Sequence, residues 1–189
     1  MTKYQPYKAI TAHSLSVSTL NALYRRLKDP DTKPEQHLFI TIIVFLAFSI
    51  ESYVNHLGAG HLSIWDQLER LHWKKKITIL HKINNKKPDW GAQPLQFVQE
   101  VFTIRDKLAH GKPETVRGPL TDSEDEAMEL LKEHDLYVPA WQKKHINLEW
   151  IIQSEKKYDS LINHFLVLFR KHEIDSVTIA FTGVEEIKE

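Results

Sequence analysis

The chain has 189 residues with 25 basic and 25 acidic side chains, a formal charge of zero with histidines neutral, and a length that suits one domain. With 42% hydrophobic and 26% charged residues, it has enough apolar material to offset the entropy lost on folding, which excludes wholesale disorder. It contains no cysteine, which excludes disulfides, thiolate metal sites, iron–sulfur clusters and cysteine nucleophiles, and fits a reducing compartment.

The start, Met1 to Pro6, lacks the apolar core of a secretory leader, so a cytoplasmic location is expected. Ser14 is placed to cap a first helix that ends before Asp29-Pro30, because the residue before a proline disfavours helical geometry. Pro34 suits the first turn of a second helix and Gly58 its C-terminal cap. The longest apolar stretch, Leu38 to Ile50, has thirteen residues, where a membrane span needs about 20, so it reads as a core helix and no membrane partner is expected.

Ser63 and Asp66 resemble the cap of a short helix through Leu71, and Trp73 to Asn84 forms another, carrying Ile77, Leu80 and Ile83. Asn84 to Gly91 is a loop, and a further helix runs from Pro94 to His110, closed by Gly111 and Pro113. Asp122 to Glu133 reads as an acidic surface helix with Ala127, Leu130 and Leu131 on its inner side. Asn147 caps a last long helix, Leu148 to Lys171, with Ile151, Ile152, Leu161, Phe165, Leu168 and Phe169 at helical spacing. The β-branched tail, Val177 to Phe181, is a candidate extended segment. The expected fold class is all-α, an antiparallel bundle with peripheral helices in a single domain.

The chain has no GxxxxGK[ST] loop, no GxGxxG after a strand and no HExxH. No two of its eleven histidines stand four apart, the spacing that puts two imidazoles on one helix face. No metal and no cofactor is expected. The informative positions are charges inside apolar stripes. Val98, Val101, Phe102, Leu108 and Ala109 make an inward face that Arg105 interrupts. On the second helix Val44, Ala47 and Phe48 make a similar stripe that Glu51 and then Asn55 continue. Buried charges are costly unless paired, so Glu51 is expected near Arg105.

His110 lies four residues after Asp106, where the carboxylate could orient the imidazole for acid/base work. A histidine just before Gly111 equally suits a helix C-terminus, where it meets the exposed carbonyls. Arg105 and His110 are five apart, about 140° around an ideal helix, so a distorted end or a second copy is needed to aim both at one phosphate.

The run Arg105-Asp106-Lys107-Leu108-Ala109-His110 resembles the mark of the HEPN superfamily, an arginine with a polar neighbour and a histidine four to six residues later near a helix end. The apolar approach at Phe102, the Gly111-Lys112 that follows, and the helix with Glu51 and Asn55 are similar to prokaryotic members. Its motifs cover about Pro34 to Lys112. The resemblance implies a helical bundle that pairs as a homodimer, bringing two motifs into one composite cleft. It further implies a metal-independent endoribonuclease, in which the ribose 2′-hydroxyl attacks the adjacent phosphate and leaves a cyclic phosphate end. His110 would be the general acid/base, Arg105 would stabilise charge on the phosphorane, and Asp106 would orient His110. Glu51, with Asn55 beside it, would hold Arg105 from behind. Toxins and antiviral effectors are among such proteins, so the resemblance implies RNA as substrate and an antitoxin protein as a candidate partner.

From Arg70 to Arg117 eleven basic residues face four acidic ones. This segment encloses the motif and could steer a polyanion, with Lys107 and Lys112 as substrate contacts; Lys74 to Lys76 could equally solubilise a helix face. The competing function is a catalytically silent module that binds RNA, a nucleotide or a partner protein. A helical interaction protein unrelated to the family is the third reading.

Overall fold

The computed structural model describes residues 3–10, 12–132, 137–170 and 180–187, the side chains of 7–10 and 180–187 excepted. The fold is all-α. Among the described residues eight helices follow in chain order: α1 (Ala12–Lys28), α2 (Gln36–His61), α3 (Trp65–Leu68), α4 (Trp73–Ile83), α5 (Leu95–His110), α6 (Glu124–Leu131), α7 (Ala140–His145) and α8 (Leu148–Phe169). Two strands, β1 (Lys3–Ile10) and β2 (Ala180–Ile187), pair antiparallel from Lys3 opposite Ile187 to Ile10 opposite Ala180. Of the proposed extended tail, 177–179 lie outside the described residues, and 180–181 begin β2.

Helix α2 is the organising element. It touches α1, α3, α4, α5 and α8 and buries Phe39, Ile42, Ile43, Leu46, Ala47, Ile50, Tyr53, Val54 and Leu57. Its 26 residues double the apolar stretch seen in the sequence, because the helix continues through Glu51 and Asn55 into a second apolar turn at Val54 and Leu57. Among the described residues it is the one helix long and apolar enough to cross a membrane, and half of its most apolar window is buried against the rest of the chain. Phe48, assigned to the inner stripe, is instead half exposed.

Three expected caps are not caps: the N-cap of α3 is Ile64, not Ser63. Ser14 lies inside the first turn of α1 and is buried. Gly58 lies inside α2, whose cap is Leu62. The glycine is needed there for a close approach: a Cβ at position 58 would sit 2.1 Å from Cε2 of the buried Trp65, far inside van der Waals contact. The role is packing, not a left-handed turn.

Asn147 caps α8 as expected, its Oδ1 accepting from the Trp150 N–H at 2.9 Å, which satisfies one of the orphan donors of the first turn. Ser123 does the same for α6 through the Glu126 N–H at 3.2 Å. Helix α6 buries no residue; Ala127 and Leu130 are half-buried and Leu131 is exposed. Helix α5 begins at Leu95 and packs on α2 and α8 through Phe97, Val98, Val101, Phe102 and Ile104. A Trp73–Phe102 stack with ring centroids 4.6 Å apart ties α4 to it.

Candidate functional site

Glu51 does not hold Arg105. Its Oε1 accepts from Lys76 Nζ at 2.8 Å. The same ammonium donates to Asn55 Oδ1 at 3.0 Å and to the Glu69 carbonyl at 3.0 Å, which fills all three of its donors. Lys76 is 1% exposed, so the expectation that Lys74 to Lys76 together solubilise a helix face fails for the third of them. The physical reason is reach. From α4 a lysine stem extends along apolar surface to α2 and puts its charge beside the carboxylate. Glu51 and Asn55 therefore serve the α2–α4 contact, and neither lines the motif.

Arg105 is half-buried, with its guanidinium carbon 5.2 Å from the centre of the Phe102 ring. Its Nε lies 3.2 Å from Asp106 Oδ1, an ion-pair contact without hydrogen-bond alignment. Asp106 thus faces the arginine beside it, and among the described residues it makes no hydrogen bond to His110, contrary to the expected orienting role. The charge-assisted pull of a guanidinium on an adjacent carboxylate exceeds that of an imidazole one turn away.

His110 is exposed at the C-terminal end of α5, as is Ala109, which was assigned to the inner face. Among the described residues His110 accepts and donates no hydrogen bond, so it does not cap the final carbonyls. Gly111 turns the chain away, and it must be glycine, since a Cβ there would lie 2.3 Å from the Lys107 carbonyl oxygen. The turn opens a depression of about 560 Å³ lined by Thr103, Asp106, Lys107, His110, Gly111, Lys112 and Glu114. A second, of about 320 Å³, is lined by Lys107, Gly111, Lys112, Pro113, Glu114, Pro139 and Trp141.

The structure therefore brings Asp106, Lys107, His110 and Lys112 to one open depression and leaves Arg105, Glu51 and Asn55 outside its lining. Lys107 pairs with Glu114. Lys112 makes no ion pair or hydrogen bond among the described residues. An exposed imidazole beside an ammonium that has no partner among the described residues is an arrangement that can receive an anion. Among the described residues no group of three or more His, Asp or Glu is placed to hold a metal ion.

The residues around Pro139 and Trp141 were not singled out by sequence reasoning. Helix α7, of only six residues, is too short to leave a periodic signal.

Compared with family models, curated proteins and solved structures, the chain has no match.

Proposed function

We propose that the protein is a metal-independent endoribonuclease of the HEPN type, with His110 as general acid/base and Arg105 as the cation that offsets charge on the phosphorane. The observation that carries this reading is the condition of His110: exposed at a helix end, unbonded among the described residues, and in one depression with Lys107 and Lys112. A histidine kept for helix capping would bond the last carbonyls. In the reaction, the 2′-oxygen forms a bond to phosphorus and gives up its proton to a base. The 5′-oxygen leaves with a proton from an acid, and the products are a cyclic phosphate and a 5′-hydroxyl. Imidazole suits both proton steps near neutral pH.

One copy does not complete this site. His110 lines the depression and Arg105 does not, as the angle between them on one helix demands. The reading therefore includes a homodimer, in which the motif of the second copy supplies the missing group. Arg105 suits that task, because among the described residues its guanidinium meets only the Phe102 ring and the Asp106 carboxylate and makes no hydrogen bond. An antitoxin protein that covers the cleft is the expected partner of a toxin of this kind.

The test is cleavage of transfer and messenger RNA in chelator by the wild type and by His110→Ala, with the product ends analysed. Cyclic phosphate ends from the wild type only are the expected result. No cleavage by a folded wild-type dimer would sink the enzymatic reading. Toxicity on expression that disappears with Arg105→Ala, with the fold retained, would support the effector role. The second reading, a module that binds RNA without cutting it, is favoured by the position of Arg105 outside the depression. It would show as RNA binding unchanged by His110→Ala, with no product.

A further inference from the structure

The two depressions are one band. They share Lys107, Gly111, Lys112 and Glu114 in their walls; Asp106 and His110 line one alone, and Pro113, Pro139 and Trp141 line the other alone. The residue types divide accordingly: an imidazole lines the first alone, two lysines stand in the shared wall, and an aromatic ring and two prolines line the second alone. Cations placed between a reacting group and an aromatic wall match the repeating chemistry of a single-stranded nucleic acid, in which phosphates alternate with flat bases.

We propose that the Trp141 end is a base-binding subsite. One unpaired RNA base stacks against the Trp141 ring, Lys112 takes the phosphate attached to it, and the next phosphate along the strand lies toward His110. This rests on the reading of RNA as substrate given above and adds to it which part of the strand the chain grips.

Several features suit Trp141 to this role. It is half-buried, packs against the hydrophobic core and lines the depression. It lies in the first turn of α7, just after Pro139 at the N-cap, and its carbonyl is bonded by His145 Nδ1 at 2.8 Å. Pro113 and Pro139, which line the same depression, have fixed φ, so the walls cost little entropy to hold open. At about 320 Å³ the space is at the lower end of the range for small-molecule sites, which suits one base. The acid in the shared wall, Glu114, is neutralised by Lys107, and Lys112, which makes no ion pair or hydrogen bond among the described residues, is left to meet an anion.

The experiment measures binding of a labelled, single-stranded, 2′-O-methyl RNA decamer, which has no 2′-hydroxyl to attack. It compares that decamer with an abasic decamer of equal charge, using the wild type, Trp141→Leu and Lys112→Glu. The expected result is that the wild type prefers the base-bearing decamer, and that Trp141→Leu loses roughly five- to a hundred-fold in affinity for it. The same variant keeps its affinity for the abasic strand, while Lys112→Glu loses affinity for both. Equal wild-type affinities for the two decamers would overturn the subsite even if Trp141→Leu proved unfolded. Wild-type binding of the base-bearing strand that Trp141→Leu leaves unchanged would overturn it while sparing RNA as substrate. Absence of binding to either decamer by the folded wild type would remove the RNA reading and the subsite with it.

Discussion

Lys76 Nζ lies 2.8 Å from Glu51 Oε1, and the two ends of this pair differ sharply in exposure: the lysine side chain is 1% exposed and the glutamate 37%. The ammonium depends on its partners far more than the carboxylate does, because water can replace the lysine on the glutamate side and nothing can replace the glutamate on the lysine side. Glu51→Ala should therefore be the harsher change, costing about 3 kcal/mol by leaving a buried charge on two neutral acceptors. Lys76→Met keeps the stem volume, removes the charge and should cost about 1 kcal/mol or less. Urea unfolding of both variants decides this, and a reversed order would contradict the asymmetry. Because Glu51 is not on Arg105, Glu51→Gln should leave RNA cleavage unchanged wherever the protein remains folded.

His81 and His164 bridge α4 and α8 with their Nε2 atoms 3.0 Å apart. His81 Nδ1 lies 2.8 Å from the Ile77 carbonyl, which only accepts, so that nitrogen carries the proton. His81 Nε2 then accepts, and His164 Nε2–H donates. Burial pushes both rings below the usual imidazole range, and His81 pushes His164 further. The unfolded chain then binds more protons than the native one between the lowered values and the ordinary value of about 6.5, and stability rises with pH through that interval. The contribution is present above about pH 6.5 and is lost as pH falls toward the lowered values. Thermal midpoints from pH 8 to pH 5 should fall less for His164→Gln, which keeps a donor but does not titrate, than for the wild type. Parallel curves would contradict the assignment.

His110 and Asn147 form a useful contrast at helix ends. Asn147 bonds the first turn of α8, and Asn147→Ala should cost about 1 kcal/mol. His110 bonds nothing among the described residues, so His110→Ala should leave the thermal midpoint in place while abolishing cleavage. Marked destabilisation of His110→Ala would restore the capping role and weaken the catalytic one.

Phe48 is 50% exposed on α2, one turn after Phe45, whose ring it meets edge-on with centroids 5.9 Å apart. Leu38, Phe45 and Phe48, with Thr41 and Ser52 at the steps between and after them, follow the three-and-four spacing by which helices pair. The proposed function calls for a second copy, and this stripe is an apolar surface of α2 that could meet one. Phe48→Asp should shift the protein from dimer to monomer in light scattering and reduce cleavage, with little change in thermal midpoint. A dimer that survives the substitution would place the contact elsewhere.

The boundaries of α4, α5 and α8 were legible to within two residues because their apolar spacing and caps agree, as at Asn147. The first cap failed because Ser14 lies two residues into a helix that begins at Ala12. Glu51 and Arg105 were each recognised as charges inside apolar stripes, but their partners were not. Lys76 stands in the stripe of Trp73, Ile77 and Leu80 and satisfies the same criterion as Arg105; it was missed because Lys74 and Lys75 beside it make the run look like a solvated face. The His81–His164 contact joins residues 83 apart, and no spacing along one helix could reveal it. The depression at His110 depends on the path of the chain after Gly111, which has no periodicity to read.

The β1–β2 ribbon sets a timetable for the chain. Lys3 pairs with Ile187, so during synthesis β1 waits for a partner strand that lies 184 residues further along the chain. At 5–20 residues per second that delay is on the order of ten to forty seconds. The contacts of α1 with α2, which are near in sequence, can form well within it. During that interval residues 3–10 have an unpaired edge, open to any other extended segment nearby. Pro6, within that edge, lacks a backbone donor and would weaken such pairing until the native partner arrives.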